Sequence, residues 1–204
     1  EEKMAKEFEE SLLYLPEELR DVLRKISLQE QEHIQEIRLR SGKPVSAFDG
    51  NRSRFVMKNG MLVDRPGPGC LTVGCALLEQ CFVRLCDYAV HTHEQEMNHG
   101  FITTPKGDRV GVCASAAWGQ DGKRIFRDVS SLNLRISREV PGAAQELSQR
   151  VDLLSGVVLA GAPSTGKTTV LRDAARLLSS GELGSCKKVV LIDERYELAA
   201  MDGG

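Results

Sequence analysis

The chain has 204 residues and a mass of 22.4 kDa, a size that allows one ordinary domain or two small ones. Apolar residues make up 41% and charged residues 27%, which is typical of a folded globular protein and excludes an intrinsically disordered chain. The 27 basic and 29 acidic side chains give a net charge of -2, so no overall positive charge attracts nucleic acid or an anionic membrane surface.

The sequence predicts a cytoplasmic protein that does not insert into a membrane. No stretch approaches the about 18 continuous apolar residues of a membrane span, and the acidic start EEKMAKEFEE is unlike the basic start of a signal peptide. The cysteines never form a CxxC motif, so we interpret them as reduced, mostly packed thiols rather than as a zinc site. They are Cys70, Cys75, Cys81, Cys86, Cys113 and Cys186.

The first elements follow from apolar spacing and turn residues. Apolar positions at helical spacing predict one helix before Pro16 and another after it. Ile37 and Leu39 alternate with arginines, which is typical of a half-buried strand. Apolar runs on both sides of Asn59-Gly60 predict a hairpin.

The middle of the chain predicts one helix and then more strands. The helix extends from Thr72, which we expect to be its cap, to Cys86. Segments of residues 101–128, separated by glycine-containing turns, predict an antiparallel meander, and alternation over residues 132–136 predicts one more strand. We therefore expect an N-terminal mixed α/β domain over residues 1–145.

The clearest motif lies in residues 161–168, GAPSTGKT, which match the consensus GxxxxGK[ST] without a mismatch. A continuous apolar run over residues 153–161, typical of a strand buried on both faces, precedes it, and an amphipathic helix follows. Glycines allow backbone N–H groups to approach phosphate oxygens, and the helix N-terminus adds partial positive charge. The alternative is a glycine-rich turn before a helix, with a solvated lysine.

The motif assigns roles to particular residues. Lys167 is expected to reach the β- and γ-phosphates of ATP, and the Thr168 hydroxyl to bind Mg²⁺. The predicted nucleotide-binding residues are Gly161, Ala162, Pro163, Ser164, Thr165, Gly166, Lys167, Thr168 and Thr169.

A second apolar segment, residues 189–192, ends in Asp193 and Glu194. In a Walker B strand the aspartate lies in the Mg²⁺ shell and the glutamate polarises water, so Asp193 is a candidate metal residue and both acids, with Lys167, are candidate catalytic residues. The alternative is an ordinary parallel strand whose carboxylates lie at the sheet edge.

The composition changes near residues 140–150, from alternating strands to a fully apolar one. We therefore predict an α/β protein whose second domain, residues 146–204, is a P-loop NTPase domain with a parallel sheet. Only two strands of that sheet are visible before Gly204, so we expect this domain to be incomplete.

Two further polar clusters admit both a structural and a functional interpretation. The first has no known metal-ligand spacing, so we interpret it as structural; it comprises His91, His93, Glu94, Glu96 and His99. The second is compatible with solvation, nucleic acid or the phosphates of a neighbouring subunit, and sparse aromatic residues disfavour nucleic acid; it comprises Lys123, Arg124, Arg127, Arg135 and Arg138.

Six segments together resemble the stage III sporulation protein AA family, and the resemblance spans nearly the whole chain. They are FEESLLYLPEELR, IQEIRLRSGKP, HGFITTPKGDRVGV, RDVSSLNLRI, the phosphate-binding motif and VVLIDERYELA. The resemblance implies a secretion-type ATPase of the AAA+/RecA-like group, with an N-terminal α/β domain, ATP and Mg²⁺ as cofactors, and a hexameric ring. Residues 161–169 would bind ATP and Mg²⁺, residues 193–195 would match the acidic strand after the first ATPase helix, and the family's Walker B would lie beyond Gly204.

The resemblance also implies a cellular role. The protein would act in the mother cell of endospore-forming bacteria, peripheral to the membrane, and would power a channel to the forespore through membrane-embedded sporulation channel proteins. We expect no nucleic-acid partner. The alternative function is a nucleotide-gated assembly scaffold that binds ATP without significant turnover.

Overall fold

The computed structural model describes residues 2–104, 108–118, 124–138, 140–162 and 165–192, which belong to two units. The N-terminal unit comprises residues 2–104 and 108–137, and the C-terminal unit begins at residue 138. The predicted domain division at residues 145/146 stays a prediction. The helices are α1 (Glu2–Leu12), α2 (Glu17–Leu23), α3 (Leu28–Gln31), α4 (Cys75–Leu85), α5 (Glu94–Asn98), α6 (Gln145–Arg150) and α7 (Lys167–Ser180), with a 3-10 helix at Val90–His93. The strands are β1 (Glu36–Arg40), β2 (Lys43–Pro44), β3 (Ser46–Phe48), β4 (Ser53–Val56), β5 (Leu62–Val63), β6 (Thr72–Val73), β7 (Phe101–Thr103), β8 (Arg109–Trp118) and β9 (Arg124–Arg135).

In the described residues of the N-terminal unit, seven strands form one antiparallel sheet in the order β5-β4-β3-β1-β9-β8-β7. Strand β1 lies at the centre, where Ile37 is paired with Ala47 of β3 on one side and with Leu134 of β9 on the other. Strands β2 and β6 form a separate antiparallel pair. The fold is therefore mixed α/β with a mainly antiparallel sheet.

The helices of this unit share one hydrophobic core with the sheet. Phe8 and Leu12, four residues apart on α1, are fully buried because this spacing places them on one helix face. On β1, Ile37 and Leu39 are buried while the arginines between and after them are less so. The two predicted helices around Pro16 and the predicted strand are confirmed.

The predicted hairpin is also confirmed, since β4 and β5 are antiparallel neighbours on either side of Asn59-Gly60. The Asn59 side chain accepts a hydrogen bond from Met61 N–H at 3.1 Å. Gly60 has a φ of +89°, and a Cβ there would lie 2.4 Å from the carbonyl carbon of Lys25. Both the left-handed backbone and the close approach require glycine at this turn.

Two boundaries differ from the sequence-based predictions. The helix predicted from Thr72 is present, but Thr72 lies in β6, and α4 starts after Gly74. Thr72 is therefore not the cap, because its backbone pairs with Pro44 of β2 instead. The two strands predicted over residues 125–136 are one continuous strand, β9.

Strand β9 is continuous because a bulge takes the place of the predicted break. Cys113 of β8 pairs with Ser131, but Ser115, two residues on, pairs with Arg127 of β9, so β9 has two residues more than β8 between these pairs. Asp128 lies in this bulge with a φ of +51°, a left-handed backbone that aspartate tolerates better than most side chains.

The C-terminal unit has a small core around α7. Ala144, Ala174 and Leu177 are buried, and Leu153 and Val170 pack against them. The short polar helix expected after residue 143 is present as α6.

The apolar run at residues 153–161 is not the strand buried on both faces that the sequence predicts. Val158 is 91% exposed, and in the second apolar segment Val190 is 80% exposed. Among the described residues of this unit none is in a strand, so neither segment has the neighbours that bury a strand. The predicted parallel sheet stays a prediction.

The cysteines divide into two groups. Cys70, Cys81 and Cys86 are buried free thiols, whereas Cys75, Cys113 and Cys186 are exposed, so packing applies to half of the set. Within the part of the chain that the structure describes, no helix is both long and apolar enough to span a bilayer.

Candidate functional site

The predicted phosphate-binding loop leads directly into α7. Gly166 immediately precedes the helix with a φ of +83° and ψ of 10°, a left-handed conformation that favours glycine. Its carbonyl oxygen accepts the first helical hydrogen bond, from Val170 N–H at 2.9 Å. The helix therefore starts at Lys167, and Lys167, Thr168 and Thr169 lie in its first turn. Backbone N–H groups of a first helical turn have no partner within the helix, so such a terminus can bind an anion.

Two side chains in the described part of the loop donate hydrogen bonds to the same backbone carbonyl. The Ala162 oxygen accepts hydrogen bonds from the Lys167 ammonium at 2.6 Å and from the Thr165 hydroxyl at 2.9 Å. A Cβ on Gly161 would lie 2.9 Å from that hydroxyl oxygen, so a larger residue there would displace the Thr165 side chain from this position. The lysine charge is thus held over the loop, where a phosphate oxygen can replace the carbonyl as its partner.

The structure brings together part of the predicted site. Seven predicted members lie in the described part of the loop and in the first helical turn, namely Gly161, Ala162, Thr165, Gly166, Lys167, Thr168 and Thr169. The other predicted members, Pro163 and Ser164 in the loop and Asp193 and Glu194 after the second apolar segment, lie outside the described residues. The proposed roles of all these residues stay predictions.

Asp173, six residues after Lys167 on α7, is a buried polar residue that the sequence analysis does not identify. One carboxylate oxygen accepts the Ala144 N–H at 2.8 Å, and the other accepts Arg176 Nε at 2.8 Å. Burial raises the pKa of Asp173, but these hydrogen bonds and the arginine charge outweigh it and hold the pKa below its ordinary value. Arg176 also pairs with Glu182. The only signal in the sequence was the Asp–Arg spacing of three residues on one helix.

A small, open cavity lies beside Asp173, with a volume of about 50 Å³ and a mostly apolar lining. Thr169, the last residue of the predicted nucleotide site, forms part of its wall. Its lining residues are Val140, Pro141, Thr169, Arg172, Asp173 and Arg176.

Described members of each of the two weaker clusters have ordinary protein partners. Glu96 accepts hydrogen bonds from the backbone N–H and hydroxyl of Thr103 and contacts His93 Nδ1 at 2.8 Å. Within the described ranges no group of three or more His, Cys, Asp or Glu side chains is arranged to hold a metal ion. In the basic cluster, Arg135 lies 3.5 Å from Glu36, while Lys123 and the Arg124 side chain lie outside the described residues.

Comparison with known proteins relates the chain to one family. Residues 5–204 match the family described as "Sporulation stage III, protein AA". Stage III sporulation protein AA of Bacillus subtilis (strain 168) is 31% identical over 188 residues, which cover 91% of this chain and 57% of the relative. The chain therefore spans a little over half the length of this relative.

A solved structure shows a more distant likeness. The X-ray structure of the Legionella pneumophila ATPase DotB matches 79% of this chain and 40% of its own chain, with 16% identity and a TM-score of 0.42. A likeness at this level supports no argument about function.

Proposed function

This chain belongs to the sporulation stage III protein AA family, and from that premise we propose that it binds ATP with Mg²⁺ and acts as part of a P-loop ATPase. The observation that supports the proposal is the complete motif at residues 161–168. The last glycine of the motif, Gly166, has a left-handed backbone conformation and directly precedes α7. That geometry directs the N-terminus of a 14-residue helix toward the loop, where we propose that the phosphates bind.

We assign the chemistry of hydrolysis as follows. Lys167 and the backbone N–H groups of the loop stabilise the charge that develops on the transferred phosphoryl group. The Thr168 hydroxyl would hold Mg²⁺, and the ion would supply positive charge beside the phosphates. Asp193 assists in the Mg²⁺ shell, and Glu194 orients the attacking water. The parallel P-loop sheet proposed around this site places both acids at its carboxyl edge.

We also propose the assembly that the family resemblance implies. The chain acts within a hexameric ring in the mother-cell cytoplasm, and it docks on membrane-embedded sporulation channel proteins without entering the bilayer itself. Exposed Val158 and Val190 support further assembly of the C-terminal unit, because large apolar side chains in solvent are stabilised when neighbouring elements cover them.

Binding is tested by titrating the chain with Mg·ATP while its melting temperature is followed. Ligand at about 100 times its dissociation constant adds roughly 2.7 kcal/mol of stability, so we expect a clear upward shift. Lys167→Ala should lose the shift, whereas Lys188→Ala, which removes an exposed lysine of the same unit, should keep it. Equal shifts in all three proteins would contradict the assignment of the loop.

Turnover separates the ATPase from a nucleotide-gated scaffold. In a full-length chain we expect phosphate release from ATP that is lost in Lys167→Ala and in Glu194→Gln, since the glutamine has no carboxylate to polarise the attacking water. Mg·ATP binding without phosphate release, in this chain and in longer chains of the family, would instead favour the scaffold.

A further inference from the structure

The cavity beside α7 continues the predicted phosphate site along the helix. Thr169 belongs to both, and from Thr169 to Arg176 the lining extends about 10 Å along the helix axis. That span is on the order of the length of a nucleoside. A nucleoside triphosphate whose phosphates lie at the start of α7 must place its ribose and base somewhere beyond the loop, and the cavity lies along one such path.

The lining suits a flat, uncharged group better than a second anion. Val140 and Pro141 supply apolar surface, and Val140 is 52% exposed. The Arg176 charge is already balanced by Asp173 and Glu182. Arg172, three residues after Thr169 on the same helix face, supplies a planar guanidinium of the kind that packs on aromatic rings. About 50 Å³ accommodates the edge of such a ring and leaves the remainder in solvent.

The apolar wall is held in place by the network around Asp173. The Asp173 carboxylate accepts the Ala144 N–H at 2.8 Å, and Ala144 is fully buried. This bond ties the turn that contains Val140 and Pro141 to α7, the helix that supplies Thr169 and Arg172. The two sides of the cavity therefore keep their spacing without a ligand, which lowers the ordering cost of binding.

We infer that the base and ribose end of the nucleotide lies along this cavity with only the edge of the base inside it, where Arg172 packs on the face of the base and Val140 and Pro141 are in apolar contact with it. The inference rests on the proposed function, since it places the remainder of the same ligand. Arg172 is then a binding residue for the base, whereas Asp173 is a positioning residue that acts through the turn.

The test compares Mg·ATP with Mg·tripolyphosphate, which has the phosphates but no base or ribose, by calorimetric titration. In Arg172→Ala we expect ATP to bind about three- to tenfold more weakly, the size of an exposed to partly desolvated cation–π contact, and tripolyphosphate to bind within about twofold of the unsubstituted chain. Simple loss of one positive charge would weaken the more highly charged tripolyphosphate at least as much. Arg150→Ala, on an exposed arginine of the same unit that lines no part of the cavity, is the matched control and should bind both ligands normally.

The outcomes separate the inference from the proposed function. If Arg172→Ala weakens both ligands equally, or neither, the base does not lie in this cavity, and the phosphate site still stands. If Lys167→Ala leaves the binding of both ligands unchanged, or if neither ligand binds the unsubstituted chain, the proposed function fails and the inference fails with it. Circular dichroism of Arg172→Ala confirms that an altered affinity is not a loss of folding.

Discussion

Replacing Asp173 by alanine is predicted to loosen the C-terminal unit and leave the N-terminal unit unchanged. Asp173 is 5% exposed, and its carboxylate accepts the N–H of fully buried Ala144 at 2.8 Å. Alanine removes this charge-assisted hydrogen bond and leaves the N–H without its partner. A hydrogen bond to a charged group contributes about 1.5–3 kcal/mol, and an unsatisfied buried donor costs about 1–3 kcal/mol.

These two free energies both count the same lost hydrogen bond, so they are not added. We expect the C-terminal unit to lose about 3 kcal/mol of stability in total. The bond between Asp173 and Arg176 adds little, since Arg176 keeps its partner Glu182 at the surface. Because each 1.4 kcal/mol is a factor of ten, this loss corresponds to roughly a 100-fold increase in the population of the locally opened state.

The same contact predicts a pH dependence with a definite sign. The pKa of Asp173 is below its ordinary value of 3.8 in the native chain, although burial alone would raise it. A carboxyl group with a lowered native pKa stabilises the native state above its ordinary pKa, and this contribution is lost as the pH falls through the lowered native value. The difference in stability between the unsubstituted chain and Asp173→Ala should therefore shrink on acidification below about pH 4.

Hydrogen exchange followed by mass spectrometry measures both units separately. In Asp173→Ala, peptides that contain Ala144 and α7 should exchange roughly 100-fold faster, under conditions where exchange reports the opening equilibrium. Peptides of β1 are the internal reference. Glu182→Ala, which removes the exposed partner of Arg176, should change exchange by less than about fivefold. An acceleration below about threefold in α7 of Asp173→Ala, or equal acceleration in β1, would refute the reasoning.

Three further predictions concern single positions. Gly166→Ala should weaken Mg·ATP binding about tenfold in a calorimetric titration, because a left-handed alanine costs about 1–2 kcal/mol; unchanged affinity would show that the φ of +83° is not needed for binding. Arg54→Ala should destabilise the N-terminal unit by about 3 kcal/mol in urea unfolding, because Arg54 is 8% exposed and donates to both carboxylate oxygens of Glu30. A loss below about 1 kcal/mol would mean that this ion pair contributes no more than an exposed surface ion pair. Burial raises the pKa of the Cys86 thiol to about 12, so iodoacetamide should label exposed Cys113 in the native chain and reach Cys86 only after unfolding, and equal rates by mass spectrometry would contradict its burial.

Much of the N-terminal unit could be predicted because its signals are local. Pro16 lies between α1 and α2 and directly precedes the second helix, Ile37 and Leu39 show the two-residue period of a strand, and Asn59-Gly60 specifies a tight turn. Each signal depends on a few neighbouring residues. Thr72 shows the limit of such reasoning, because a threonine before an apolar helix is also a good strand residue, and pairing with Pro44 decided between the two.

The C-terminal unit could be predicted only where local chemistry decides the structure. Gly166 and the start of α7 follow the motif because the left-handed turn is encoded in the glycine itself. The burial of residues 153–161 depends on which strands lie beside them, and Val158 is exposed because the described chain supplies no such neighbour. Asp173 was missed for the same kind of reason, since only its contact with distant Ala144 makes it a buried carboxylate.

The bulge opposite Cys113 determines which insertions and deletions the long β8–β9 hairpin can accept. At the bulge β9 has two residues more than β8, not one. Phe126 and Leu132, which lie on the two sides of the bulge, therefore face the same side of the sheet, and both pack in the core. Removing one residue from the bulge would turn the outer half of the strand over and expose Phe126. Removing two would restore a plain ladder with every side chain on its original face. A change of two residues in the bulge therefore keeps every side chain of the hairpin on its original face of the sheet. A change of one residue moves the side chains of the outer half of β9 to the opposite face.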